Sequence, residues 1–296
     1  MTRLLGPRHV EVALDAHAEV AEGPVWDSSG NELVWVDIPR HLVHRFHPAS
    51  GRCTSVDVGQ PVGAVALRDS GGLVLALRDG FGVLDGDTGP ARLVREVEAD
   101  SASNRMNDGK CDQSGRFWAG TMALDMRVGA GTLYRLETDF EVVSVLADVS
   151  VPNGLAWTAD ERTMYFIDST TNGVDVLDHA PRSGTVGERR RLIDIAPEIG
   201  LPDGMTTDVD GFLWIALWGG GAVRRYSPAG ALDTVVQLPA TQITSCTFGG
   251  EQLDELYITS AAAGLSDEER ANQPHAGAVF RVRPGVCGLP PQRFSG

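Results

Sequence analysis

The sequence predicts an all-β protein, a six-bladed β-propeller with four antiparallel strands in each blade. Three observations support this fold class. One pattern of residues recurs six times at intervals of about 40 to 50 residues, the range that propeller blades occupy. Within each copy, apolar positions alternate with the period of two that half-buried strands show. A further strand of the same type precedes the first copy and would complete the last one.

The first two strands of each predicted blade form a hairpin. A small residue opens an apolar strand, a turn containing Gly or Asp follows, and the returning strand carries an aromatic or aliphatic pair. These copies begin at Gly23, Gly63, Gly109, Gly154, Gly204 and Ser245.

The third and fourth strands complete the blades. The third strands begin near Leu42, Gly80, Gly131, Gly173, Gly221 and Gly277. Fourth strands follow in five copies, near Cys53, Ala91, Glu141, Arg190 and Leu232. The sixth copy has none, and the chain instead continues into a tail rich in Pro and Gly.

The N-terminal strand that begins at His9, with the sequence HVEVALD, is predicted to supply the missing fourth strand. Its addition to the last blade closes the ring, and closure removes the free sheet edges through which β-proteins aggregate. We therefore predict one propeller domain over residues 1–296, closed by an N-terminal strand.

Composition excludes several classes of function. The formal net charge of -15 argues against nucleic acid as a partner, because its binding requires clustered Lys and Arg. No apolar run reaches the roughly 18 residues of a membrane span, and the start of the chain lacks the apolar core of a signal peptide. The four cysteines show no metal-binding or redox spacing. We expect a cytoplasmic monomer or weak dimer that acts on a small molecule.

Oxygen-bearing side chains recur at one position of the repeat, directly before the small residue that opens each copy. The residues at this position are Glu22, Val62, Asp108, Asn153, Asp203 and Thr244. Because the first strand of every blade lines the central channel, these side chains should meet around the axis. A buried ring of oxygens is unfavourable unless a cation lies among them.

Three of these residues form a candidate metal site. Glu22, Asn153 and Asp203 offer two carboxylates and one amide carbonyl, a set suited to one divalent cation. Ca²⁺ is the first choice, with Mg²⁺, Mn²⁺ or Zn²⁺ as alternatives. Each residue taken singly is also an ordinary turn former. Their shared repeat position favours a common site.

Several longer runs resemble the SMP-30/gluconolactonase/luciferin-regenerating family, in order and over nearly the whole chain. They include AEGPVW from Ala21, NRMNDGKCDQSGRFWAGTM from Asn104, PNGLAW from Pro152 and PDGM from Pro202. The resemblance implies a six-bladed propeller that binds one divalent metal through Glu22, Asn153 and Asp203. It also implies that Arg105 and Asn107 contact substrate hydroxyls. Asp125 stands where some family members have a Glu, so it is a further candidate for substrate binding.

The resemblance implies a metal-dependent hydrolase that opens sugar lactones to aldonic acids, as a gluconolactonase does in carbohydrate metabolism. In this chemistry the cation polarises the lactone carbonyl, and Asp203 is the candidate general base. Two alternatives share the fold. One is a metal-dependent esterase or phosphotriesterase, and the other is a calcium-binding propeller without catalysis.

Overall fold

The six-bladed propeller predicted from the sequence is confirmed by the computed structural model, which describes residues 2–86, 88–101 and 103–296. Six small antiparallel sheets form a ring, and the first strands of neighbouring sheets pack against each other around its centre. The chain opens with two strands that join the last two blades. These are β1 (Arg3–Leu5) and β2 (Val10–Leu14).

The first three blades each contain four strands in chain order. Blade 1 consists of β3 (Ala21–Asp27), β4 (Glu32–Asp37), β5 (Leu42–His47) and β6 (Arg52–Asp57). Blade 2 consists of β7 (Val62–Leu67), β8 (Leu73–Leu77), β9 (Gly80–Leu84) and β10 (Arg92–Glu96). Blade 3 consists of β11 (Asn104–Cys111), β12 (Phe117–Ala123), β13 (Gly131–Leu136) and β14 (Val142–Val149).

Blades 4 and 5 each carry one extra strand, β18 (Thr185–Val186) in blade 4 and β1 at the edge of blade 5, and blade 6 takes its outer strand from the N-terminus. Blade 4 consists of β15 (Pro152–Trp157), β16 (Thr163–Asp168), β17 (Gly173–Ala180), the short β18 (Thr185–Val186) and β19 (Arg190–Asp194). Blade 5 consists of β20 (Leu201–Thr207), β21 (Leu213–Trp218), β22 (Ala222–Tyr226) and β23 (Leu232–Gln237). Blade 6 consists of β24 (Ile243–Gly249), β25 (Glu255–Ser260) and β26 (Val279–Val282), with β2 as its outer strand.

The described residues contain one α-helix, α1 (Asp267–Asn272), in the connection between β25 and β26. Ser266 and Glu269 form a capping box at its start, which satisfies backbone N–H groups of the first turn. Short 3-10 turns occur at Pro7–His9, Ser169–Thr171 and Pro197–Ile199. No helix in the described part of the chain has the length and apolar character needed to cross a membrane.

The N-terminal strand closes the ring as predicted. β2 pairs antiparallel with β26, with Val10 opposite Val282 and Glu11 opposite Arg281, and the latter two side chains also form an ion pair at 2.6 Å. The sequence did not predict β1, which adds in parallel to β23 at the edge of blade 5. A strand of three residues is too short for an alternating pattern to be recognised.

The apolar core of the described residues lies between the blades. It divides into six clusters, and each cluster draws its buried side chains from two neighbouring blades. A four-stranded sheet buries both faces in this way, so neighbouring blades stabilise each other and the spacing of their inner strands.

The C-terminal segment crosses the end of the channel that lies opposite Glu22. The N–H of Phe294 donates to the carbonyl of Leu67 at 2.8 Å, and the fully buried Phe294 ring packs against Phe140. Residues 289–292 line the channel cavity together with Trp157 and Thr207, which stand at the ends of first strands. The tail therefore covers one mouth of the channel.

We predict that His44 makes the propeller less stable in mild acid. Its ring stacks on Trp35, the residue opposite it in the sheet, with ring centroids 3.9 Å apart. Burial, and to a smaller extent Arg40, lower the pKa of His44 to about 4. Between pH 6.5 and pH 4 the unfolded chain is therefore protonated at His44 while the folded chain is not. The free energy of unfolding that is present above pH 6.5 is lost as the pH falls toward 4.

The measurement for His44 is urea unfolding of wild type and His44→Phe at pH 7 and pH 5. Phe keeps the stacked ring and cannot be protonated. Between these pH values the wild type should lose about 1 to 2 kcal/mol more unfolding free energy than the variant. An equal loss in both proteins would contradict the prediction.

Candidate active site

The inner hairpin of every blade carries a β-bulge at the same level. The strand register shifts between Glu22 and Val25, Val62 and Ala64, Met106 and Gly109, Pro152 and Leu155, Pro202 and Met205, and Ile243 and Ser245. A bulge places an extra residue on one strand and redirects its side chain. These shifts coincide with the repeat position predicted to surround the axis, and the sequence did not reveal them.

Small residues after the bulge let neighbouring inner strands approach closely. A Cβ added at Gly63 would collide with the backbone carbonyl of Asn107 in the next blade. A Cβ added at Gly204 would collide with the side chain of Ser245, again in the next blade. At Gly63 and Gly204 the small residue therefore has a packing reason, which is the contact between adjacent first strands.

The six residues of this repeat position are all buried. They are Glu22, Val62, Asp108, Asn153, Asp203 and Thr244. Three of them carry carboxyl groups, from blades 1, 3 and 5. Because these groups lie in the same channel away from bulk water, their charges interact strongly.

Burial is the main influence on the carboxyl groups. It raises the pKa of Glu22 well above its ordinary value, and the nearby Asp203 and Asp108 raise it further. The N–H of Gly23, which donates to Glu22 Oε2 at 2.5 Å, acts in the opposite direction. Burial and Asp108 likewise raise the pKa of Asp203, while the N–H of Gly204 and the charge of Arg105 lower it. These shifts place Glu22 and Asp203 in one electrostatic cluster.

Asn153 is held by hydrogen bonds from both sides. Its Oδ1 accepts from Asn107 Nδ2 at 2.9 Å, and its Nδ2 donates to Ser169 Oγ at 2.7 Å. Ser169 in turn donates to the carbonyl of Pro202, at 2.6 Å, directly before Asp203. This chain of hydrogen bonds connects Asn153 with the strand that carries Asp203. It also orients the side chain of Asn153 so that its Oδ1 atom faces Asn107.

Arg105 lies beside the same cluster. Its Nη1 donates to Asn107 Oδ1 at 2.7 Å and to the carbonyl of Met106 at 2.9 Å. Burial lowers the pKa of Arg105 to about 10, against the opposing effect of the carboxylates of Glu22 and Asp203. The guanidinium therefore stays charged at neutral pH. The structure thus brings together five of the six predicted site residues.

The residues of this cluster fit a hard divalent cation. Glu22 Oε1 is buried and has no hydrogen-bond partner among the described residues. The available donors near it are carboxylate and amide oxygens, which suit Ca²⁺, Mg²⁺ or Mn²⁺ better than Zn²⁺. Within the described ranges, no group of three His, Cys, Asp or Glu side chains is arranged to hold a metal. A site here therefore depends on the amide of Asn153, and its occupation stays a prediction.

Asp125 lies apart from the cluster. It follows β12 on an exposed loop, its carboxylate pairs with Arg127 at 3.1 Å, and its side chain is 62% exposed. Its contact with substrate stays a prediction.

Sequence reasoning did not select two residues that the structure connects to the cluster. Ser169 orients Asn153, and Lys110 donates from Nζ to the carbonyl of Met205 at 2.5 Å. Both belong to motifs that the sequence displays, NDGK for Lys110 and FIDS for Ser169. Their contacts reach other strands and other blades, so spacing along the chain gave no signal for them.

Comparison with known proteins confirms the family resemblance that the sequence motifs indicated. Residues 20–262 match the family model described as SMP-30/Gluconolactonase/LRE-like region. Regucalcin of Gallus gallus is 40% identical over 284 residues, which cover 94% of this chain and 95% of that protein.

Two solved structures superpose closely on the propeller. One is a calcium-binding protein, regucalcin, from Agrobacterium tumefaciens, with a TM-score of 0.95, 30% identity and coverage of 100% of both chains. The other is a luciferin-regenerating enzyme with a TM-score of 0.91 and 32% identity, covering 97% of this chain and 99% of that one.

Proposed function

The chain belongs to the SMP-30/gluconolactonase/LRE-like family, and from this premise we propose that it is a cation-dependent lactonase that hydrolyses sugar lactones to aldonic acids. One observation carries the proposal. Buried carboxyl groups at Glu22 and Asp203 share the channel with Asn153 and with the hydrogen-bond donor Arg105. This arrangement combines an oxygen-rich cation site with a group that can bind polyhydroxylated substrates.

In this proposal Arg105 and Asn107 bind the substrate. A guanidinium has five N–H groups, and Arg105 uses only its Nη1 atom for hydrogen bonds to the described residues. Its remaining N–H groups can donate to ring hydroxyls. Asn107 Oδ1 already accepts from Arg105, so the two side chains hold each other in place before substrate arrives. Such preorganisation reduces the entropy lost on binding.

Glu22, Asn153 and Asp203 would hold the cation, which when bound polarises a lactone carbonyl and stabilises negative charge on its oxygen. Asp203 is the candidate acceptor of a proton from the attacking water. Burial and Asp108 raise its pKa, whereas Arg105, the Gly204 N–H and a bound cation would favour the ionised form that a base requires. Water adds to the carbonyl carbon, and the bond between that carbon and the ring oxygen breaks. The proton taken from the water passes to the ring oxygen. The product is one hydroxy acid, so atoms and charge balance.

A non-catalytic calcium-binding propeller is the second candidate. The observation that favours it is the Agrobacterium tumefaciens relative, which is described as a calcium-binding protein. Esterase or phosphotriesterase activity at the same site is a third candidate. One assay can distinguish it from lactone hydrolysis.

The deciding experiment is a pH-stat assay on chelator-stripped protein supplied in turn with Ca²⁺, Mg²⁺, Mn²⁺ or Zn²⁺. Five- and six-membered aldonolactones serve as substrates, and an aryl ester and paraoxon are the comparison. We expect acid release from a lactone with at least one cation and little without. If no lactone is opened under any condition, the proposal is wrong.

We predict that Arg105→Met lowers kcat/KM on a lactone by about a hundredfold, since buried charged hydrogen bonds to substrate are strong. The matched change Asp125→Ala should lower it by less than about threefold, because that carboxylate is exposed and paired with Arg127. Steady-state kinetics on both variants test the pair. Equal losses would show that the loop of Asp125 closes over the substrate.

The proposal extends to partners and location. A net charge of -15 accords with a small-molecule substrate and not with nucleic acid, and we propose a cytoplasmic monomer or weak dimer. Size-exclusion chromatography with light scattering tests the oligomeric part.

A further inference from the structure

Lys110 is the only lysine of the 296-residue chain, and every other basic residue of the Lys and Arg type is an arginine. Lysine is ordinarily a surface residue because its ammonium is strongly hydrated. Here the one lysine stands inside the propeller, on the first strand of blade 3. The surface that Lys110 retains belongs to the lining of the channel cavity, whose volume is about 110 Å³.

The Lys110 side chain spans the channel. Its Nζ donates to the carbonyl of Met205 on the first strand of blade 5, although blade 4 lies between the two in the ring. Met205 comes two residues after Asp203, and Asp108 comes two residues before Lys110 on the same strand. Asp108 lines the same cavity. The ammonium therefore lies next to the level at which the carboxyl groups meet.

Lys110 interacts with these carboxyl groups through its charge. It lowers the pKa of Glu22 and of Asp108, which burial raises. Burial lowers the pKa of Lys110 itself, and Asp108, Cys246 and Glu22 oppose that shift. None of the ion pairs within 4 Å in the described part of the chain involves Lys110, so its charge acts on Glu22 and Asp108 over a longer distance than a direct ion pair.

The charged groups around the channel indicate a role for Lys110 as a counter-charge. Glu22, Asp108 and Asp203 supply three carboxyl groups, and Arg105 and Lys110 are the cations that the structure places against them. A lysine suits this position because its ammonium is a compact charge on a flexible stem, whereas a guanidinium is a larger planar fork with five N–H donors in fixed directions.

We propose that Lys110 is a built-in counter-cation of the carboxyl ring, which stabilises the channel when no divalent cation is bound and weakens divalent-cation binding by repulsion. The inference rests on the proposed cation site at Glu22, Asn153 and Asp203. It adds a residue that sets how tightly the cation binds, without contact to the substrate.

Neutral substitution of Lys110 should separate these two effects. In Lys110→Met and Lys110→Gln the repulsion is gone, so Ca²⁺ should bind about tenfold more tightly than in wild type. The same variants should melt several degrees lower in chelator, and this difference should shrink at saturating Ca²⁺. Arg182→Gln removes the same charge from an exposed turn and should change neither quantity.

The measurements are isothermal titration of chelator-stripped protein with CaCl₂ and thermal unfolding with and without Ca²⁺. Unchanged affinity, or an equal fall in melting temperature under both conditions, would mean that Lys110 is a packing residue and would overturn the inference. Lys110→Gln retains a hydrogen-bond donor and provides a folded variant if Lys110→Met does not fold.

Wild-type protein offers a test that needs no substitution. Incorporation of lysine labelled with ¹³C at Cε yields one side-chain NMR signal, because the chain has one lysine. We expect this signal to shift during a Ca²⁺ titration and to saturate with it. A signal that stays in place while Ca²⁺ binds would contradict the inference.

The two proposals can fail separately. If wild type binds Ca²⁺ and opens lactones but the Lys110 variants bind Ca²⁺ as wild type does, only the role of Lys110 is wrong. If wild type binds none of the four cations, the proposed function loses its cofactor and the inference is overturned with it. Titration of wild type with each of the four cations in turn distinguishes these cases, and the Lys110 variants are then compared with the cation that binds.

Discussion

Asp203→Asn should lower lactone turnover by about a thousandfold and leave the propeller folded, because it removes a general base and a cation-binding charge without changing side-chain size. Asp203 is 7% exposed, and burial and Asp108 both raise its pKa. The Asn variant thus loses one of several like charges in the channel. In chelator its melting temperature should equal or exceed that of wild type.

The assay for Asp203 is initial-rate kinetics with the best lactone and cation, accompanied by circular dichroism and thermal unfolding. Asp139→Asn, in an exposed turn, is the control and should keep wild-type rates. Turnover within tenfold of wild type would remove Asp203 from the mechanism. If the variant instead unfolds and wild type shows no lactonase activity, the cation has a structural role.

Asp208→Ala is expected to have the largest effect on stability, about 3 to 5 kcal/mol, since it breaks a buried charged network. Asp208 is fully buried, and its Oδ2 accepts from Trp214 Nε1 at 2.9 Å and from Arg225 Nε at 2.7 Å. Its Oδ1 accepts the N–H groups of Asp210 and Phe212, both at 3.0 Å. One carboxylate therefore closes the inner hairpin of blade 5 and joins it to the third strand.

Urea unfolding followed by tryptophan fluorescence measures the loss at Asp208. Asp210→Ala is the matched control, because Asp210 also pairs with Arg225 but is 59% exposed, so it should cost less than about 1 kcal/mol. A similar loss in both variants would show that the Arg225 pairs, and not the buried hairpin bonds, provide the stability.

Blade 3 repeats this arrangement. Asp112 is fully buried, accepts from Trp118 Nε1 at 2.8 Å and pairs with Arg116 at 2.6 Å. The same Asp and Trp positions thus hold two inner hairpins, although the strand lengths differ by one residue. The sequence repeat showed that these hairpins exist, and the structure shows what joins their strands.

Much of the fold follows from the sequence because strand alternation and repeat spacing are local properties. The hairpins, the third and fourth strands and the closing strand from His9 were all predicted from patterns a few residues long. The ring positions of Glu22, Asn153 and Asp203 followed from the same periodicity, since equivalent residues of a repeat must occupy equivalent places around an axis. Closure of the ring was predicted in the same way, because the sixth copy lacks a fourth strand and the N-terminal segment has the pattern of one.

Tertiary structure decided what these residues contact. The bulges that redirect the ring side chains, the Ser169 bond to Asn153 and the reach of Lys110 to Met205 join residues that are distant in the chain. Asp125 was selected from its place after a recognised motif, but in the folded protein it lies on an exposed loop apart from the cluster. Repeat periodicity determines which level of the propeller a residue occupies, whereas distances and charges across the channel depend on how six separately formed sheets pack. That packing is set by contacts between blades, which no single stretch of sequence contains.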